Sequence, residues 1–161
     1  MMAMSRTAGT LWFALALCPV HAAEPAMDFR LPALDGEKTA GLASIGQRAV
    51  LLNFWSSECI PCIQEMPLLN AQSKLLRNVA FVGIAVDQRQ KALRFLQQRP
   101  MDYIQLLAPP HAGPLLRSFG NKINGLPYTV ILNPAHRICT TRMGQVDAAW
   151  IAKALDACGG A

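Results

Sequence analysis

Two cysteines three positions apart, Cys59 and Cys62, have the types and spacing that point most directly to chemistry. They enclose Pro61 in the stretch LLNFWSSECIPCIQEMP, positions 51–67. Such a pair can be a redox couple, half of a metal site or a passive structural disulfide. A zinc site normally needs four ligands, and His111 and His136 stand alone in loop-like segments, so no metal is expected. A Cu(I) site on the two thiolates remains an open alternative.

The residues around the pair favour the redox interpretation. The apolar run AVLLNFW predicts a strand buried on both faces, and Pro61 suits the first turn of a following helix. Cys59 would then lie at the helix N-terminus, where unpaired N–H groups and the helix dipole lower a thiol pKa. We therefore expect Cys59 to attack a partner disulfide. Cys62, one turn further and more buried, would resolve the mixed disulfide.

The elements that position the cysteines alternate along the chain. Apolar runs and helical spacing predict strands at 49–55, 79–86, 103–107, 128–133 and 137–142, and helices at 61–77, 88–99, 113–120 and 147–158. This alternation predicts parallel pairing with helices on both faces of a sheet. The last two strands form a hairpin that adds an antiparallel edge, so the predicted class is α/β with a mixed sheet.

The first residues predict a targeting segment. Arg6 precedes the ten-residue apolar run LWFALALCPV, and small residues follow, which is the pattern of a cleaved signal peptide over 1–22. Since a membrane span needs about 20 apolar residues, an uncleaved anchor is less favoured. A lipoprotein modified at Cys18 is also less favoured, because Leu17 is too bulky for the position before a lipidated cysteine. Residues 23–161 then form one exported domain without a stable membrane span.

The composition argues against several functions. Apolar residues make up 52% of the chain and charged residues 16%, which suits a packed core. The net charge of +5 comes from scattered basic residues, so no nucleic-acid partner is expected. Because the sequence carries no flavin or nicotinamide motif, no cofactor is expected.

A second pair of cysteines, Cys139 and Cys158, lies in the last predicted strand and at the end of the last predicted helix. The strand to residue 144 and the helix from 147 each cover about 16 Å, so their far ends return to the same level. A structural disulfide there would close a loop of about twenty residues and stabilise the fold by about 3 kcal/mol. Two separate thiols are the alternative, because side-chain directions cannot be read from sequence.

The stretch VLLNFWSSECIPCIQEMP resembles the active-site region of TlpA/ResA-type thioredoxin-like thiol–disulfide oxidoreductases. The similarity continues through FVGIAVDQRQKALRFL and INGLPYTVILNPAHRI, and covers roughly residues 26–158. It implies a thioredoxin-like fold, with a central mixed sheet flanked by helices. It also implies a periplasmic protein that reduces disulfides in client proteins, including during cytochrome c maturation. An external thiol donor, such as a membrane thiol transporter, would restore the dithiol.

The resemblance assigns roles to further residues. Pro127 matches a cis-proline beside the cysteines, which would offer the Leu126 backbone to a substrate peptide. Glu65 matches a functional glutamate that would relay the Cys62 proton, although a solvated surface glutamate is the alternative. Trp55 matches a tryptophan that shields the site, with a plain core aromatic as the alternative. Residues expected to meet the partner are thus Trp55, Glu58, Pro61 and Leu126.

Glu58 departs from this family, which usually has tryptophan immediately before the first cysteine. A carboxylate there is expected to raise the Cys59 pKa by like-charge repulsion and to influence partner choice. A solvated acid with little effect is the alternative.

Together these features predict an exported thiol–disulfide oxidoreductase that works as a reductant. The alternatives are an oxidant that donates its disulfide, and a copper-handling or assembly module that uses the same cysteines.

Overall fold

The computed structural model describes residues 27–36 and 38–159, so the predicted signal peptide at 1–22 lies outside the described residues. The strands are β1 (Arg30–Pro32), β2 (Thr39–Gly41), β3 (Ala49–Trp55), β4 (Val79–Ala85), β5 (Ile104–Leu107), β6 (Tyr128–Leu132) and β7 (Ile138–Met143). The helices are α1 (Ile60–Leu75), α2 (Arg89–Gln98), α3 (Gly113–Ser118) and α4 (Ala148–Ala157), with a short 3₁₀ turn at Leu42–Ser44.

Five strands form one mixed sheet in the order β5-β4-β3-β6-β7. β3, β4 and β5 pair in parallel, whereas β6 is antiparallel to β3 and β7 is antiparallel to β6. This is the mixed sheet that the sequence predicted. β1 and β2 form a separate antiparallel hairpin, which the sequence did not predict as paired strands. A single bridge between Ala33 and Leu106 joins this hairpin to the edge strand β5.

The central strand β3 is buried along its whole length, as its apolar run predicted. Alternate residues of a strand point to opposite faces of a sheet. Val50, Leu52 and Phe54 therefore pack with the residues of α3 and of the β1–β2 hairpin. On the other face, the first half of β3 packs against α4, while Trp55 at its end packs beside α1 and α2. The sheet consequently carries helices on both faces.

Helix α1 begins one residue before the predicted start and ends at Leu75, two residues before the predicted end. It continues through Pro67, whose side chain is exposed. No helix within residues 27–36 and 38–159 combines the length and apolar character needed to cross a membrane.

The pairing of β6 with β7 contains one irregularity. Thr140 lies opposite Ile131 and Ile138 lies opposite Leu132, which leaves Cys139 as an extra residue in β7. Such a β-bulge bends the strand and changes the direction of the bulged side chain. The direction of the Cys139 side chain therefore depends on a register that the sequence did not reveal.

Candidate active site

Cys59 and Cys62 lie where β3 gives way to helix α1, and they are joined as a disulfide with their Cα atoms 5.2 Å apart. Cys59 is the N-cap of α1, with extended backbone, and its Sγ accepts a hydrogen bond from the Cys62 N–H at 3.3 Å. Cys59 is partly exposed, whereas Cys62 is completely buried. An incoming disulfide can therefore reach Cys59 but not Cys62, and the N–H groups of the first turn favour a thiolate at Cys59.

The turn between β3 and Cys59 is held by Asp87, which follows β4. The Asp87 carboxylate accepts hydrogen bonds from the Ser57 N–H at 2.8 Å, the Ser57 hydroxyl at 2.6 Å and the Ser56 hydroxyl at 3.3 Å. Because β3 and β4 are parallel neighbours, their carboxyl ends lie side by side. The sequence reasoning missed Asp87, although an acid directly after a buried strand was the available signal.

Glu65 lies inside the protein, not on the helix surface. The residue is 3% exposed. Its Oε1 accepts a hydrogen bond from the Asn53 side-chain amide at 2.8 Å, and its Oε2 accepts one from the Val146 N–H at 2.9 Å. Asn53 also donates to the Thr129 hydroxyl at 3.2 Å. The Glu65 carboxyl is thus buried and held by two donors from other segments of the chain, so the surface-glutamate alternative is wrong.

Burial raises the pKa of Glu65 above its ordinary value. The hydrogen bonds from Val146 and Asn53 and the charge of Arg142 act in the opposite direction, but they do not outweigh the loss of solvation. Residues three apart on a helix are neighbours, so the buried Glu65 and Cys62 share one face of α1. The site thus combines a buried thiol with a carboxyl group that can take up a proton.

The Leu126–Pro127 peptide bond is cis, as the resemblance implied. Pro127 directly precedes β6, and its carbonyl accepts a hydrogen bond from the Gly144 N–H at 2.9 Å. Leu126 is partly buried in the cluster that contains Cys62 and Trp55. The structure thus brings Leu126 and Pro127 to the cysteine pair from a segment more than sixty residues further along the chain.

Trp55 is completely buried at the end of β3. Its indole N–H donates to the Gln105 side-chain oxygen at 3.0 Å, and its ring lies 5.5 Å from that of Phe95. A side chain with no exposed surface cannot meet a partner directly, so its assignment as a contact residue is wrong. Trp55 instead supports the cysteines from inside, in the same cluster as Cys62.

Glu58 is exposed and forms an ion pair with Lys91 of helix α2, with Oε1 and Nζ 2.6 Å apart. The hydrogen bond and charge of Glu58 raise the pKa of Lys91. The sequence reasoning missed Lys91, which brings a positive charge to the acid beside Cys59.

Pro61, in the first turn of α1, is exposed, and its carbonyl accepts a hydrogen bond from the Gln145 side chain at 3.1 Å.

Cys139 and Cys158 take no part in this site. Both are free thiols in the structure, with Cys139 exposed and Cys158 partly buried. The structural disulfide between them therefore stays a prediction.

Comparisons with known proteins agree with this arrangement. The family model described as "AhpC/TSA family" matches residues 22–141. The chain is 30% identical over 125 residues to Thiol:disulfide interchange protein DsbE of Pseudomonas fluorescens biotype C, covering 77% of this chain and 67% of that protein. It is 35% identical over 74 residues to Thioredoxin-like protein YneN of Bacillus subtilis, but this match spans 43% of YneN. A solved thioredoxin-related protein from Neisseria meningitidis serogroup B superposes with a TM-score of 0.74 at 25% identity, over 81% of this chain and 99% of that one.

The fold and the cysteine pair together define a thioredoxin-like protein with thiol–disulfide interchange chemistry at Cys59 and Cys62. The chain belongs to the AhpC/TSA family. The predicted fold and the resemblance to thioredoxin-like oxidoreductases are confirmed.

Proposed function

We propose that the protein is an exported reductant of disulfides in client proteins of the periplasm. The observation that carries this proposal is that Glu65 and Cys62 are both buried and lie about one turn apart on the same face of helix α1. Neither burial nor a neighbouring negative charge stabilises a thiolate at Cys62. A stabilised thiolate form makes a dithiol oxidising, so the restriction of that stabilisation to Cys59, at the helix N-terminus, supports a dithiol that gives up its electrons.

The reduced protein begins the reaction with the Cys59 thiolate. Its sulfur attacks one sulfur of the client disulfide, which breaks that bond and leaves the second client sulfur to take up a proton. Cys62 then loses its proton to the Glu65 carboxylate and attacks the Cys59 sulfur, which breaks the bond between Cys59 and the client. The released client sulfur takes up a proton. The client leaves with two thiols, having gained two electrons, and the protein holds the Cys59–Cys62 disulfide. An external thiol donor, such as a membrane thiol transporter, restores the dithiol.

The proposed client and the proposed compartment are both based on the family resemblance. The DsbE of Pseudomonas fluorescens is named a thiol:disulfide interchange protein, and the apolar run at 11–20 fits export. An unfolded exported protein with a disulfide, apocytochrome c included, is the proposed client. Leu126 and the exposed Pro61 border the cysteine pair and would contact its chain.

The direction of electron flow is tested by the reduction potential of the Cys59–Cys62 couple, measured by equilibration with glutathione. We expect a value closer to the −270 mV or so of thioredoxin than to the −120 mV or so of a strong periplasmic oxidant. A value near that of the oxidant would overturn the reductant proposal and favour disulfide donation.

The client is tested by trapping. In a Cys62→Ser variant the mixed disulfide on Cys59 cannot be resolved, so partners should be recovered covalently bound from the periplasm of a producing strain. A Cys59→Ser/Cys62→Ser variant is the control and should recover none. If both variants recover the same proteins, the trapped species do not report on the proposed reaction.

A further inference from the structure

A second pair of cysteines lies away from the active site, where β7 begins and α4 ends. Met143, near the far end of β7, pairs with Tyr128 beside Pro127, whereas Cys139 lies at the opposite end of that strand. Cys158 is the C-cap of α4 and packs against the core residues of that helix. The reaction at Cys59 uses neither of these two thiols.

The β-bulge in β7 falls at Cys139. Cys139 is the extra residue of β7, so its direction does not follow the alternation of the strand. Cys139 lies near enough to Cys158 to contribute to the raised pKa of that thiol. The same two elements also meet at Arg142, whose guanidinium lies 5.7 Å from the centre of the Trp150 ring. Strand β7 and helix α4 therefore also meet away from the two cysteines.

We propose that Cys139 and Cys158 form a second dithiol–disulfide couple, whose oxidation covalently closes the segment from β7 to the end of α4. The oxidant is a small-molecule disulfide such as glutathione disulfide. The exposed Cys139 thiolate attacks it, forming a mixed disulfide and releasing one glutathione. The Cys158 sulfur, on losing its proton, attacks the Cys139 sulfur and releases the second glutathione. Two protein thiols are oxidised and one disulfide molecule is reduced.

The surroundings of the two thiols explain why Cys139 reacts first and Cys158 second. Burial, together with the neighbouring Cys139, raises the pKa of Cys158 to about 12. The thiolate is the reacting form of a cysteine, so Cys158 reacts slowly with reagents in solution. Cys139 is exposed and accessible to them. In the second step the Cys158 sulfur has to reach only the mixed disulfide on the neighbouring Cys139.

The segment that the disulfide would close supports the active site. It contains Val146, whose N–H holds the Glu65 carboxylate, and Gln145, whose side chain donates to the Pro61 carbonyl. Closing a loop of about twenty residues restricts the unfolded chain more than the folded one. Oxidation of Cys139 and Cys158 is therefore expected to make the segment that carries Gln145 and Val146 harder to unfold.

The experiment uses a Cys59→Ser/Cys62→Ser variant, which leaves the second pair free of exchange with the active site. The folded protein is equilibrated with glutathione disulfide, its remaining thiols are blocked, and it is digested with trypsin. Cleavage after Arg137, Arg142 and Lys153 places the two cysteines in the short peptides ICTTR and ALDACGGA. We expect these peptides to be linked, and the Tm of the oxidised protein to rise by about 5–10 °C.

The control is Cys158→Ser in the same background, which should retain glutathione on Cys139 and show no rise in Tm. Two free thiols after oxidation, or a lasting glutathione adduct on Cys139 with Cys158 free, would overturn the proposal. If the variant without active-site cysteines does not fold, the native protein serves, because Cys59 and Cys62 lie in the separate tryptic peptide 49–74. Neither result depends on the direction of electron flow at Cys59.

Discussion

The side-chain amide of Asn53 donates a 2.8 Å hydrogen bond to the Glu65 carboxylate, and this contact joins the central strand to the active-site helix inside the core. Val146 holds the other oxygen of the same carboxyl. A buried carboxyl normally costs stability when it ionises, because it loses its solvation. The protein keeps Glu65 in place with two donors, which is consistent with a role in proton transfer at Cys62.

Replacing Glu65 with Gln should slow the resolution of a mixed disulfide by about 100-fold near neutral pH, because general acid–base catalysis at Cys62 is lost. The attack by Cys59 should change little. Stopped-flow measurement of the two steps with a model disulfide peptide would separate them. Asp156→Asn removes an exposed carboxylate of α4, away from the site, and is the control. Equal slowing of both steps would argue for a general structural defect.

Ionisation of Glu65 should make the protein less stable as the pH rises. The pKa of Glu65 is raised in the folded protein above its ordinary value of 4.5. The folded state therefore binds the proton more tightly than the unfolded state, and this stabilisation is fully present below pH 4.5. It is lost as the pH rises through the folded pKa. Denaturant unfolding at a series of pH values should show this fall, and Glu65→Gln should remove it.

Replacing Asp87 with Ala should lower the free energy of unfolding by about 2 kcal/mol, because Ser56 and Ser57 lose a charged acceptor. The turn before Cys59 should also become less ordered. Chemical denaturation measures the first effect, and proteolysis at residues 56–58 measures the second. Asp156→Ala, which removes an exposed acid of α4, is the matched control. An equal loss of stability in both variants would contradict a specific role for Asp87.

The Glu58–Lys91 ion pair should tune the reactivity of Cys59. Lys91→Gln leaves the Glu58 charge unpaired and should raise the Cys59 pKa, which slows alkylation at neutral pH by about twofold. Glu58→Gln should act in the opposite direction, and the double variant should lie close to the native protein. Lys74→Gln, which breaks an exposed ion pair with Asp102, is the control.

Salt provides a further check on this pair. Exposed charges are screened at high ionic strength, so the differences between the variants should disappear near 1 M salt. If Lys91→Gln and Glu58→Gln react with the alkylating reagent at the native rate in low salt, Glu58 is only a solvated acid.

The sequence predicted those parts of the fold that depend on local pattern. The strand 49–55 and the helix after it were predicted closely, because a continuous apolar run and Pro61 are local signals. The contacts of Asp87 and Lys91 were missed, because their partners lie 30 and 33 positions away and share no sequence pattern with them. The same holds for the support of Glu65 by Val146, which spans 81 positions.

The second cysteine pair is another case in which the sequence could not reveal a contact between distant segments. Lengths of strand and helix placed Cys139 and Cys158 at the same level of the fold. The direction of Cys139, however, depends on the bulge in β7, which arises from pairing with Ile131 and Leu132. Strand register is a property of two segments, so one segment alone could not reveal it.

The dependence of Glu65 on Val146 has a consequence for biosynthesis. A chain is synthesised from its N-terminus, so Cys59 and Cys62 appear first, and Val146 follows 81 positions after Glu65. During that interval the nascent chain carries two thiols whose acid partner has not yet been seated. The proton relay proposed for Glu65 is therefore complete only when the C-terminal segment has docked.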